Sequence, residues 1–459
     1  MARKSRAFPK AFWRIATTLA AAALAVQSAA AQSILRDAET EALFRDMSAP
    51  LIRAAGLDPA NVDIVLIGDS SINAFVAGGQ AVYIHSGLIN AAGSANQVQG
   101  VIAHELGHVT GGHAISIGDG AKTATSISLL SMLLGVAAAL AGAGGAAMGI
   151  MAAGQQAALG KYLAFSRTQE SAADAAGASY LSKAGISGHG SLEFFKTLQN
   201  QEFRYGYSPS DEDVFFRTHP SSGDRLARLT EAYQVDPAWK KPDDRELERR
   251  FQLVKAKLYG YLAEPAATLQ AYPEYLKTEP ARYARAYAFH KDALMDKATA
   301  EADALIADQP NNPYFLEIKG QILLESGKPR EALDPLRRAT ELTGNQPLIA
   351  TSFGHALIAT EDKANFAEAQ RVLKAAVARD RENPFAWYQL GVVYEAAGDT
   401  PRARLASAEQ QVLSQQMPLA LISAQAAEAT LPKGSADWLR AQDIAFQARA
   451  AIEKGRKRR

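Results

Sequence analysis

Cysteine is absent from this chain of 459 residues. Its absence excludes disulfides, thiolate metal ligands, a thiol nucleophile and lipid attachment through cysteine. An excess of positive charge is also lacking, because 49 basic residues stand against 48 acidic ones, and nothing indicates nucleic-acid binding. Histidine is scarce, with eight in the chain, so a close group of histidines stands out. The hydrophobic fraction of 48% suffices for substantial cores, and the length predicts two or more domains.

The first 31 residues are typical of a secretory signal peptide. A basic leader precedes a short apolar run from Ile15 to Val26, and Ala29-Ala30-Ala31 fits a cleavage site. Cleavage after Ala31 would leave 44 basic and 48 acidic residues, a formal charge of −4. We therefore expect a secreted, periplasmic protein. The alternative is an uncleaved membrane anchor, for which the apolar run is short.

The sequence His104-Glu105-Leu-Gly-His108 lies between apolar residues that predict a helix. On a helix, residues four apart leave the same face, so both imidazoles can bind one zinc ion. Glu105 follows directly and is placed to accept a proton from a water activated by the metal. The alternative is a helix with two polar surface histidines.

A second predicted helix carries Glu170 and Asp174 on one face. Two histidines and a carboxylate from a later helix make a catalytic zinc site with an open position for water. Glu170 is therefore the candidate third ligand, and Asp174 is the candidate to orient a ligating histidine through its other ring nitrogen. The alternative is a solvated acidic face that pairs with Arg167.

Three further polar residues lie near these motifs in the sequence. His113 lies five residues after His108, one position away from the third ligand of a metzincin, and we interpret it as a polar helix residue. His219, in the turn Thr218-His219-Pro220, and Arg225 are candidate catalytic groups. They would stabilise the transition state or control the open metal position.

Three short runs predict a small antiparallel sheet ahead of the zinc motif: Val62–Ile67, Ile72–Val76 and Ala81–His85. An edge of this sheet would either accept an extended peptide as an added strand or serve only as support. Residues 35–55 have helical apolar spacing and predict an amphipathic helix that precedes the sheet.

The stretch from Ser126 to Ala153 is apolar and rich in small residues. Three interpretations stay open: a buried helical hairpin, a mobile lid or membrane-contacting loop, and a membrane span. The glycines in its middle favour a break and therefore a hairpin.

These motifs together resemble the gluzincin peptidases related to HtpX and the CAAX prenyl proteases. The resemblance rests on four sequences in this order: Asn73-Ala74-Phe75, His104-Glu105-x-x-His108, Glu170-x-x-x-Asp174 and Thr218-His219-Pro220. With the signal peptide and the repeats below, it narrows to the soluble periplasmic branch of the BepA type. The resemblance implies zinc ligation by His104, His108 and Glu170, with Glu105 as the base. It also implies that Asp174 lies behind a ligand and that His219 lies near the zinc.

The back half has a period of 34 residues. Ala286, Gly320 and Gly354 are spaced at 34, Gly391 follows at 37, and Trp387-x-x-Leu-Gly-x-x-Tyr394 fits the tetratricopeptide pattern. We predict paired helices stacked into a solenoid that docks a protein, or that only covers the catalytic domain. Three other histidines, His189, His290 and His355, are expected to be surface or packing residues.

The sequence thus predicts an α+β, mostly α protein: a signal peptide (1–31), a helical zinc-metallopeptidase domain with a small antiparallel sheet (32–244), an all-α tetratricopeptide solenoid (245–453) and a basic tail (454–459). The predicted function is a zinc metalloendopeptidase with one zinc per chain. It would cleave misfolded or stalled envelope proteins, with the repeats docking substrate or the envelope assembly machinery. The alternative is a chaperone or assembly factor for outer-membrane proteins, with a protease site that is normally closed.

Overall fold

The computed structural model describes residues 33–113, 126–134, 144–205 and 223–457. The predicted signal peptide and His219 lie outside these ranges. Within them the chain is mostly helical, with one small sheet near the beginning and a long series of paired helices in the back half. The predicted mostly α architecture with a small sheet is confirmed.

The sheet has four strands: β1 (Ser33–Leu35), β2 (Asp63–Gly68), β3 (Ala74–Ala77) and β4 (Ala81–His85). Their order is β1-β2-β4-β3, with β2 and β4 parallel and the outer pairs antiparallel. The predicted antiparallel sheet is therefore wrong in one pairing. Gly78 and Gly79, both with positive φ, turn the β3–β4 hairpin so that β4 inserts beside β2.

Strand β1 was not expected, because Leu35 was assigned to the following helix. That helix begins only at Ala38, after Asp37 accepts a hydrogen bond from the Thr40 amide. An aspartate in this position caps the free N–H groups of a first turn. Leu35 is therefore left extended and pairs with Leu66 of β2.

Helices pack around this sheet and share one apolar core with it. The helices of the front half are α1 (Ala38–Ala54), α2 (Ser86–Ala91), α3 (Ala95–Thr110), α4 (Gly144–Ala184), α5 (His189–Tyr205) and α6 (Gly223–Gln234). Residues 126–134 are also helical. Short 3-10 turns occupy Pro59–Asn61 and Pro237–Lys240.

The back half consists of helices that pack in sequence on their neighbours. They are α7 (Arg245–Leu262), α8 (Pro265–Ala271), α9 (Glu279–Lys291), α10 (Met295–Asp308), α11 (Pro313–Glu325), α12 (Pro329–Leu342), α13 (Pro347–Ala359), α14 (Phe366–Arg379), α15 (Pro384–Ala396), α16 (Thr400–Leu413), α17 (Met417–Thr430) and α18 (Ala436–Lys457). A 3-10 turn at Lys363–Asn365 precedes α14.

The repeat period is visible in the helix pairs. The first helices of four successive pairs, α9, α11, α13 and α15, begin 34, 34 and 37 residues apart. Two of the periodic glycines lie where partner helices meet: a Cβ on Gly320 would lie 2.4 Å from Leu336, and one on Gly354 would lie 2.6 Å from Leu373. The small residues therefore permit the close pairing that the period predicted.

Helix α7 packs on both halves of the molecule. Phe251, Val254 and Leu258 belong to the core around the sheet, whereas Leu253 packs with the first repeat helices. The domain boundary after residue 244 stays a prediction, and this helix joins the two cores.

Residues 126–134 pack on α4, where the side chain of Ser131 fills the space beside Gly154. Leu129, Leu130 and Leu133 on the same helix are exposed. The described part of the predicted hairpin is therefore not buried in the catalytic core. Among the residues with described structure, no helix is both long enough and apolar enough to cross a membrane.

Candidate metal centre

The metal centre lies where α3 and α4 cross closely. A Cβ on Gly107 of α3 would lie 2.6 Å from the Ala173 carbonyl oxygen, and one on Gly177 of α4 would lie 3.0 Å from the Ala103 backbone. Each glycine therefore faces an alanine of the other helix, and any larger residue would push the helices apart. This close crossing brings the acidic face of α4 onto the histidine face of α3.

The predicted ligand residues converge. His104, His108 and Glu170 each offer one ligand atom, and these atoms lie within 4.8 Å of one another. The Nε2 atoms of the two histidines are 3.1 Å apart. The Glu170 carboxylate oxygens lie 3.4 Å from His104 Nε2 and 3.3 Å from His108 Nε2. The predicted alternatives for these residues, polar surface histidines and a solvated acidic face, do not fit this burial.

These separations fit a tetrahedral metal ion. Zinc bonds of about 2.0–2.1 Å to nitrogen and oxygen place neighbouring ligand atoms about 3.3–3.4 Å apart. The two Nε2 atoms, 3.1 Å apart, are close to such an edge, and each lies 3.3–3.4 Å from a different oxygen of the Glu170 carboxylate. Two imidazoles and one carboxylate leave a fourth position for water, as a catalytic site requires.

Asp174 lies behind His104, as its helical spacing from Glu170 predicted. Its Oδ1 atom is 3.0 Å from His104 Nδ1, the ring nitrogen that faces away from the donor group. Burial lowers the pKa of His104, but hydrogen bonds to Asp174 and Glu170 outweigh it and raise the pKa to about 10. These carboxylates therefore favour positive charge at the centre, which a metal cation also supplies.

Arg225 of α6 is buried against the same carboxylates. Its Nε and NH2 atoms donate to the two oxygens of Asp174, both at 2.7 Å, and its NH1 atom lies 3.0 Å from Glu170. Burial raises the pKa of Asp174, but the opposing effect of Arg225 and His104 is larger, and the net pKa is about 2. Arg225 is only 4% exposed, so its contacts place it behind the ligands.

His113 lies beside the predicted ligands. It is 9% exposed, and its Nδ1 atom is 2.9 Å from Nδ1 of His108. Burial and the nearby His108 lower the pKa of His113. His113 is helical, as predicted, but α3 ends at Thr110 and Gly111-Gly112 turns the chain back toward the centre, so the residue is buried beside His108.

The remaining predicted residues are Glu105, His219 and the histidines outside the motifs. Glu105 is buried on α3 next to His104, while His219 lies outside the described residues. The other histidines pack as expected. His189 stacks on Trp239, His290 pairs with Glu325 at 3.1 Å, and His355 contacts the Phe385 ring edge-on.

Comparison with known proteins agrees with this geometry. The profile of Peptidase family M48 matches residues 34–233. Residues 34–233 form a peptidase family M48 domain. This range contains the three donor residues and every residue placed around them above. The family consists of metalloproteases, so the domain belongs to a metalloendopeptidase and binds a metal ion, for which the donor group is well suited.

The similarity to curated relatives extends beyond this domain. The chain is 26% identical over 382 residues to the beta-barrel assembly-enhancing protease of Escherichia coli (strain K12), covering 81% of this chain and 75% of that protein. It is 29% identical over 181 residues to metalloprotease LoiP of the same strain, covering 39% and 64%. The first alignment is too long to be confined to the M48 domain, so it includes repeat helices.

Proposed function

We propose that this chain is a zinc metalloendopeptidase of the bacterial cell envelope. The observation that carries the proposal is the convergence of His104, His108 and Glu170, whose ligand atoms lie within 4.8 Å of one another. Zinc is favoured because the donors are two imidazoles and one carboxylate, the set found in catalytic zinc sites. One zinc ion per chain is expected.

The metal and the side chains have separate roles in the reaction. A zinc ion bound in this site would act as a Lewis acid that polarises the scissile carbonyl and activates water. Glu105 accepts the proton of the attacking water and delivers it to the leaving amine nitrogen. Asp174 holds the ring of His104 through Nδ1, so that Nε2 faces the site.

Arg225 and His219 are given different roles in this proposal. Arg225 positions Glu170 and Asp174, because it is buried and its guanidinium donates to both. His219 either closes the open metal position at rest or stabilises the transition state. His219→Ala raises the rate of cleavage under the first role and lowers it under the second, with zinc still bound.

The substrates are proposed to be misfolded or stalled envelope proteins. The similarity to the beta-barrel assembly-enhancing protease, over 81% of this chain, supports a role near outer-membrane β-barrel assembly. The signal peptide predicted from residues 1–31 supports a periplasmic location. The stacked helix pairs support docking of substrate or of the assembly machinery.

The test compares wild type with Glu105→Gln. The purified zinc-loaded protein is incubated with one outer-membrane β-barrel protein, supplied either unfolded or folded, and the fragments are identified by mass spectrometry. Wild type should cleave the unfolded form, and Glu105→Gln should lose at least about 10²-fold in rate with its zinc retained. If Glu105→Gln instead supports β-barrel assembly in cells as well as wild type does, the chaperone alternative is favoured.

A further inference from the structure

The turn that follows the zinc-motif helix returns a histidine to the metal centre. Helix α3 ends at Thr110, and Gly111-Gly112 leads directly into His113. The His113 ring meets the His108 ring edge-on, with centroids 4.9 Å apart and an interplanar angle of 73°. The two Nδ1 atoms are 2.9 Å apart, which is hydrogen-bonding distance.

Both glycines of the turn are needed for this arrangement. Gly112 has φ of +62°, a left-handed conformation that side chains with a Cβ rarely adopt. Gly111 has an ordinary φ of −74°, but a Cβ there would lie 2.5 Å from Nε2 of His113. The first glycine therefore makes room for the ring, and the second allows the chain to reverse.

The direction of the hydrogen bond follows from the donor group. His108 presents Nε2 to His104 and Glu170, so Nε2 must keep its lone pair free to bind a metal. A neutral His108 then carries its proton on Nδ1. His113 Nδ1 must therefore accept that proton's hydrogen bond, and the proton of His113 lies on Nε2.

We propose that His113 is a positioning residue of the metal centre, which accepts a hydrogen bond from His108 Nδ1 and so holds His108 Nε2 toward the metal. The inference rests on the zinc ligation proposed above. The two ligating histidines are then oriented differently. His104 is held by the charged carboxylate of Asp174, and His108 by a neutral imidazole. Partners of this kind orient the ring and set its tautomer.

Zinc affinity tests the proposal, measured by competition with a chelator on the full mature chain. His113→Phe keeps a ring but removes the acceptor, and should weaken zinc binding by about 10- to 100-fold. His113→Asn restores an acceptor where Nδ1 lies, and should bind zinc within about threefold of wild type. The matched control is His355→Phe in the repeats, which should leave zinc affinity unchanged.

Gly111→Ala provides a second variant that does not alter His113 itself. Its Cβ would displace the His113 ring, so zinc affinity should fall in the same direction as in His113→Phe. Thermal unfolding of the metal-free proteins identifies variants that merely fail to fold. Nitrogen NMR of the zinc-loaded wild type should place the proton of His108 on Nδ1.

Three results separate the possible failures. Wild-type zinc affinity in folded His113→Phe would overturn the positioning role. Equal weakening in His113→Asn and His113→Phe would overturn it as well, because the acceptor would then have no effect. A wild-type protein that binds no zinc would overturn the proposed zinc enzyme, and this inference with it.

Discussion

Among the described residues, two clusters bury several acidic side chains against cations: one at the metal centre, and one at the joint between the M48 domain and the first repeat helices. At the metal centre two carboxylates, Glu170 and Asp174, meet the guanidinium of Arg225 and the imidazoles of two histidines. Positive groups are plentiful there. The pKa of Asp174 accordingly falls to about 2, in spite of its burial.

The joint has the opposite balance. The ammonium of Lys257 lies 2.5 Å from Asp37 and 3.3 Å from Glu39, and Glu39 also accepts a hydrogen bond from Tyr283. Burial raises the pKa of Glu317, Lys257 lowers it, and Asp37 and Glu39 raise it. The net pKa is about 8. The Lys257 ammonium thus pairs with two carboxylates, Asp37 and Glu39, and Glu317, buried near the same charges, is the group most easily kept neutral.

The difference lies in the imidazoles and in the supply of positive charge. Among the residues that the structure describes, only the centre of His104, His108 and Glu170 gathers donors suited to a metal ion. A buried acidic cluster alone therefore does not mark a site in this protein. The joint is an interface that holds the two halves together, because the residues of its cluster come from α1, α7, α9 and α11.

The largest effect should follow removal of the Arg225 guanidinium from the metal centre. Arg225→Met leaves two buried carboxylates without their guanidinium, and should lower the free energy of unfolding by about 3–5 kcal/mol. Urea unfolding of the metal-free protein measures this. The matched control is Arg228→Met, since the Arg228 guanidinium donates an exposed hydrogen bond to the Ser171 hydroxyl. Equal stability of both variants would show that Arg225 does not stabilise the carboxylates.

A smaller effect is expected from Asp174→Asn. The neutral amide orients His104 less firmly than the carboxylate 3.0 Å from its Nδ1, so zinc affinity should fall by about 10- to 100-fold. Chelator competition gives the dissociation constant. Glu39→Gln at the joint is the control, and zinc affinity there should not change. A loss in the control as large as in Asp174→Asn would mean that the two clusters are not separate.

The smallest effect is a pH dependence at the joint. The pKa of Glu317 is raised from 4.5 to about 8 in the folded protein, so the folded state binds the proton more tightly than the unfolded state between these values. Its stabilising contribution is complete below about pH 4.5 and is lost as the pH rises through 8. Relative to wild type, Glu317→Gln should therefore be more stable at pH 8 than at pH 5.

Urea unfolding of wild type and Glu317→Gln from pH 5 to 8.5 measures this contribution. The difference between the two free energies of unfolding should grow with pH. A difference that stays constant across the range would indicate that Glu317 is charged in the folded protein, and that the joint is as well balanced as the metal centre.

Much of the metal centre was predictable because its residues follow helical spacing. His104 and His108 are four apart, as are Glu170 and Asp174, and each pair occupies one helix face. The position of Arg225 behind the carboxylates was not predictable, because it depends on how α6 packs. The signal for His113 was in the sequence, as two glycines directly after the predicted helix, but a polar helix residue was the simpler interpretation.

The sheet and the joint were less predictable, for a different reason. Three of the four strands were predicted from short runs rich in apolar residues, but the position of β4 between β2 and β3 depends on tertiary packing. The joint pairs Asp37 with Lys257, which lies 220 residues further along the chain. Neither local pattern nor spacing identifies such partners, whereas the 34-residue period is local and predicted the helix pairs.

The zinc content of Glu170→Gln tests the central claim most directly, because Glu170 is the ligand that α4 brings to the histidines. Elemental analysis should find about one zinc per chain in wild type and a small fraction of that in Glu170→Gln, since a neutral amide is a poor zinc ligand. Thermal unfolding of both metal-free proteins confirms that the variant is folded. Stoichiometric zinc in folded Glu170→Gln would contradict the assignment of His104, His108 and Glu170 as the metal centre.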